Sequence, residues 1–152
     1  MLTTMLPMVA TCRKSTASLL LVFACLSGSA CAARTPRVPP NVSVGATVPM
    51  PSPRIDSNDA PPQILAMHFS ALGVARGQTW SGRFVTGSSV ASVEVRTNLF
   101  SIDVPRAGVG RFAFVLHVLD VPPIFIRHYR LRVIARNSAG LAVEQDLPFA
   151  IR

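Results

Sequence analysis

The stretch YRLRVIARNSAG, residues 129–140, alternates apolar and polar side chains and then stops on Asn-Ser-Ala-Gly. A period of two is the signature of a half-buried strand. It sets Tyr129, Leu131, Val133 and Ala135 on one face and Arg130, Arg132 and Arg136 on the other. Asn137 and Gly140 suit the left-handed backbone that a tight turn often needs. The stretch therefore predicts an amphipathic strand ending in a turn.

The same period recurs on both sides of it. QTWSGRF puts Trp80, Gly82 and Phe84 on one face, and VASVEVR puts Ala91, Val93 and Val95 against Ser92, Glu94 and Arg96. RFAFVLH turns Phe112, Phe114 and Leu116 inward, and LAVEQDLPFAIR gives Leu141 and Val143, then Leu147, Phe149 and Ile151. Turn signals separate the runs at 76–77, 87–89, 108–110, 122–123 and 137–140. Short strands, frequent turns and no helical period predict an all-β sandwich of about seven antiparallel strands over residues 63–152. Its expected core includes Trp80, Phe84, Phe112, Phe114, Tyr129, Leu131 and Val133.

Tyr129, Leu131, Val133, Ala135, Asn137 and Gly140 fit the spacing Y-x-L-x-V-x-A-x-N-x-x-G. That pattern resembles the penultimate strand of fibronectin type III and related bacterial Ig-like domains. The resemblance implies a Tyr129 hydroxyl bonded back to nearby backbone, and a Trp80 seated like those domains' strand-B core tryptophan. PPIFIRHY departs from the leader that usually precedes this strand, and Leu131 stands where an Ig-type second cysteine would be. What the resemblance implies is a fold with an adhesive, spacer or accessory role, not an activity.

Two other zones precede the sandwich. Residues 1–33 carry Arg13 and Lys14, then the uncharged STASLLLVFA and the small-residue run CLSGSACAA. This order reads as a secretory signal peptide, its apolar run too short to span a bilayer as a helix. SGSAC loosely resembles the lipobox of bacterial lipoproteins, with Gly28 where leucine is usual. On that likeness Cys31 is the candidate lipidation site and a thioether-linked lipid the candidate membrane anchor; plain cleavage between Ala30 and Ala33 is the alternative. Residues 34–62 hold eight prolines and read as a disordered, semi-extended linker. Asn41 begins an NVS glycosylation pattern.

Chemistry is thin. The cysteines, Cys12, Cys25 and Cys31, all precede the sandwich, so it is expected to hold neither a disulfide nor a thiol nucleophile. His68, His117 and His128 lack metal-ligand spacing, no GxSxG elbow or phosphate loop occurs, and the carboxylates are scattered. No catalytic, cofactor or metal residue is assigned. Net charge is +8, from fourteen Arg, one Lys and seven acids. Arg130, Arg132 and Arg136 make a basic stripe, with Arg127 near its start and Glu144 and Asp146 expected opposite as ion-pair partners. With the aromatics turned inward, nucleic-acid binding is not expected. The sequence thus points to an exported, non-enzymatic envelope protein in the periplasm, at a membrane surface or outside the cell. Its Ig-like module would meet a protein or glycan partner. The alternative is a soluble periplasmic peptide- or glycan-binding or chaperone-like protein that uses an exposed sheet edge.

Overall fold

The computed structural model describes residues 37–119 and 121–152. The expected signal peptide and Cys31 lie outside the described residues.

Alternation becomes sheet wherever one face of a strand can be buried. Among the described residues ten strands form: β1 (Val42–Val44), β2 (Ile64–Phe69), β3 (Gly73–Val74), β4 (Thr79–Thr86), β5 (Val90–Arg96), β6 (Ser101–Val104), β7 (Arg106–Gly108), β8 (Arg111–His117), β9 (His128–Asn137) and β10 (Ala142–Ile151). They make two five-stranded sheets, β1-β2-β4-β8-β7 and β3-β10-β9-β5-β6. The inner faces share one apolar cluster, so the architecture is a β-sandwich.

The strand count exceeds seven for two reasons. The chain that crosses first between the sheets is split: β2 pairs antiparallel with β4 in one sheet, and β3 pairs parallel with β10 in the other. Trp80 pins the break, its indole N–H donating to the Ala71 carbonyl at 2.9 Å. The second reason is β1, which pairs parallel with β2 from inside the proline-rich segment.

That segment departs from the expected free linker over its described part. The Met67 N–H donates to the Asn41 carbonyl at 2.9 Å. The Asn41 and Gln145 amides exchange hydrogen bonds of 3.2 and 2.7 Å, although 104 residues separate them. Arg54 bridges to Gly87, and the Ser88 hydroxyl joins both the N–H and the carbonyl of Asp56. Proline cannot donate to a ladder, so this chain is confined to a sheet edge, where few donors are needed. The Asn41 side chain also donates to the Ile64 carbonyl, so the NVS amide is engaged in packing.

Trp80 is the centre of the core. Its ring lies 4.8 Å from Phe114 on its own sheet and 5.0 Å from Phe149 across the sandwich. Phe69, Phe84, Phe112, Leu131 and Val133 are buried around it, and Tyr129 closes one end. Burying each large side chain contributes about 1.5–3 kcal/mol. Gly82 faces Phe114 in register, and the ring occupies the space where a Cβ would stand.

Three sequence assignments need correction. Ala91 is exposed and Val90 buried, because a register shift between Val90 and Ser92 turns the strand there. Leu116 is 38% exposed, since β8 runs out past the core. Leu141 is 51% exposed at the tip of the β9–β10 hairpin, and Val143 is only partly buried. The hairpin itself closes on Asn137, whose side-chain oxygen accepts from the Leu141 N–H at 2.9 Å. Gly140 supplies the positive φ, +84°, that the turn requires.

Candidate functional site

The outer face of the second sheet is where charge collects. From β9 outward project His128, Arg130, Arg132 and Arg136, and from β5 Glu94 and Arg96. β10 adds Glu144 and Asp146. The expected pairs with β10 form for two of the three arginines: Arg132 reaches Asp146 at 3.0 Å and Glu144 at 3.2 Å, and Arg130 reaches Asp146 at 3.4 Å, whereas Arg136 stands opposite Ala142 and turns to Glu94 on β5. These are exposed pairs in high dielectric and add little to stability. They do hold the Arg132 guanidinium above its ordinary pKa, chiefly through the Asp146 hydrogen bond.

Glu94 is different. It was placed outward by periodicity, yet it is buried. The Ser101 hydroxyl donates to it at 2.6 Å, and Arg96 and Arg136 pair with it at 2.7 and 2.9 Å. The Ser101 bond first, then Arg136, hold its carboxyl below the usual value against the cost of burial. Two guanidiniums laid over one carboxylate shield it from water and keep positive charge at the surface.

Toward the β5–β6 and β8–β9 loops the balance tips further. A groove of about 970 Å³ is lined there by Arg37, Arg96, Arg127, Arg130 and Arg132, with Asp146 as its single carboxylate. Arg96 and Arg132 are direct cross-strand partners, an arrangement in which like charges repel. Arg127 lies over the Tyr129 ring, 5.2 Å from its centroid, and donates to the Tyr129 hydroxyl at 3.1 Å. That hydroxyl donates in turn to the Phe125 carbonyl at 2.6 Å, which fixes the loop before β9. Among the described residues, no carboxylate lies within ion-pair distance of Arg37 or Arg127.

Beside the groove, the end of the sandwich is open. A depression of about 370 Å³ has Trp80, Phe100 and Phe149 among its walls and Leu99, Leu116, Leu119 and Phe125 around them. Both features are built from the same loops. Asn98 lines the groove and Leu99 the apolar depression; Phe125 lines the depression and Arg127 the groove. Asp120, in the β8–β9 loop, lies outside the described residues.

The histidines stay apart. His68 is buried on β2, with Nδ1 3.0 Å from the Ser43 hydroxyl; burial first, then the charge of Arg83, lowers its pKa. His117 lines the apolar depression and His128 the groove. Among the described residues, no three His, Cys, Asp or Glu side chains are grouped to hold a metal ion. The sequence pattern marks Arg130, Arg132 and Arg136 with Arg127 near the start of their strand, and sets Arg96 on the outer face of its own strand, but it does not join Arg96 or Arg37 to the stripe. Arg37, Arg96 and Arg127 come from different segments and meet only through the strand order.

Fold and site together define a β-sandwich with a basic outer face and an apolar end. No protein-family model matches the chain, and a search of curated proteins finds no match either.

Proposed function

We propose that the chain is an exported, non-enzymatic cell-envelope protein whose Ig-like sandwich is an adhesive or accessory module. The observation that carries the Ig-like reading is the bond from the Tyr129 hydroxyl to the carbonyl of Phe125, four residues upstream. It has the form of the tyrosine corner of Ig-like and fibronectin type III domains. The split of the first strand across both sheets and the core position of Trp80 support the same reading.

Export rests on the order of Arg13, Lys14, the apolar run and the small residues that follow. On this reading Cys31 carries a lipid, and the module is held near a membrane, not on a long stalk: residues 42–44 already pair with the sandwich, so little chain is left to act as a spacer. A soluble binder that adds a ligand strand to a sheet edge is less favoured. The outermost strands β1, β3, β6 and β7 have three, two, four and three residues and offer a partner strand little to pair with.

Intact-mass measurement and fractionation of the protein from its source test the proposal. A chain beginning at Cys31, heavier by a diacylglycerol and moved to the soluble fraction by Cys31→Ala, is the expected result. A full-length chain that retains STASLLLVFA would overturn it.

A further inference from the structure

We propose that the arginine groove and the apolar end beside it form one docking surface for an anionic lipid bilayer. Of the five guanidiniums that line the groove, Arg130 and Arg132 engage Asp146, Arg132 also meets Glu144 and Arg96 meets Glu94, while Arg37 and Arg127 have no ion-pair partner among the described residues. Within a few residues of those arginines, large aliphatic side chains stand in solvent. Leu119 is 75% exposed, Ile124 76% and Ile126 46%. The short turn Pro123–Phe125, locked by the Tyr129 hydroxyl, holds Ile124 out at its tip.

Either half alone fits several partners; the combination favours one. An acidic polysaccharide would use the guanidiniums and leave the aliphatic tips in water. A bilayer surface takes both, since apolar side chains enter the headgroup boundary while arginines meet lipid phosphates. Arg37 adds a second, independent argument. It lines the groove, so the chain enters the described sandwich beside it. If Cys31 is acylated, as the reading above has it, six residue steps separate the lipidated position from Arg37. Fully extended they span about 20 Å at most, which keeps this face within reach of the membrane.

Residues 34–152 form one compact unit that contains all ten strands and the whole core cluster, so they fold without the signal segment. The test floats this fragment with vesicles of phosphatidylcholine alone or mixed with phosphatidylglycerol. Binding is expected only with the anionic lipid and should weaken as salt is raised. Arg37→Ser with Arg130→Ser should weaken it about 25-fold, roughly fivefold for each charge. Leu119→Ser with Ile124→Ser should weaken it about tenfold or more and leave the salt dependence intact. All four residues are exposed, and an unchanged urea midpoint verifies each variant's fold. The proposal is overturned by equal binding to both vesicles, by no binding, by binding that neither pair weakens, or by tighter retention on a polyuronate matrix. The fragment lacks Cys31, so failure here leaves the export and lipidation reading to its own mass measurement, and the reverse holds too.

Discussion

Replacing Gly82 with alanine tests the core at its tightest point. Gly82 on β4 and Phe114 on β8 are direct cross-strand partners. A Cβ built on Gly82 meets Phe114 Cε1 at 2.4 Å and Cζ at 2.9 Å. Carbon atoms in contact prefer about 3.5–4.0 Å, so the ring must retreat by roughly 1 Å. It has little room to do so. Trp80 is 4.8 Å away edge-on, Phe84 is 6.2 Å away on the other side, and Phe114 is only 6% exposed. Overpacking of this kind costs about 1–3 kcal/mol. Alanine recovers about 0.4–1 kcal/mol by restricting the unfolded chain, so a net loss of about 1–2 kcal/mol is expected. Urea unfolding of residues 34–152, followed by the emission of Trp80, the one tryptophan, measures it directly. Adding Phe114→Leu relieves the clash, so the double variant should lose less than the sum of the single ones, with a coupling of about 0.5–3 kcal/mol. A neutral or stabilising Gly82→Ala, or strictly additive single effects, would refute the packing described for this face.

Leu131→Ala should destabilise by about 2–5 kcal/mol through lost burial and a cavity, whereas Arg132→Ala, on the opposite face, should leave the urea midpoint nearly unmoved; equal effects would overturn the face assignment of β9. Tyr129→Phe removes the bond to Phe125 and should cost about 0.5–1.5 kcal/mol, with faster amide exchange in the loop before β9. Glu94 has its folded pKa depressed from the ordinary 4.5 by Ser101 and Arg136, so its contribution is complete above about 4.5 and is lost as pH falls through the folded value. Chemical unfolding against pH should therefore show a flatter acid limb for Glu94→Gln than for the unaltered protein.

Period and turn chemistry made most of the sandwich legible. β4, β8, β9 and β10 are strands where alternation placed them, and the ion pairs of Arg130 and Arg132 follow from their register with β10. Faces failed where something other than period decided them. The register shift at Val90–Ser92 turned Ala91 outward, and Glu94 was buried by two arginines that a pattern of polar and apolar letters cannot show. β1 was hidden because its three residues sit among prolines, whose composition argues against sheet. Its pairing comes from β2, more than twenty residues later. The groove was the least legible feature, since Arg37, Arg96 and Arg127 come together only once the strand order is known.

The amide pair between Asn41 and Gln145, and the pairing of β3 with β10, make the start of the sandwich depend on its end. A chain emerging from synthesis presents Asn41 and β3 long before their partners in β10 exist. Until Phe149 arrives, the wall of Trp80 that faces the second sheet stays open. Non-local closure of this kind folds slowly, because loop entropy is lost before the contacts that reward it form. The same dependence means that loss of the last dozen residues would cost far more than one edge strand: β9 would lose its longest partner, and the nascent sheet would offer an unpaired edge to other copies.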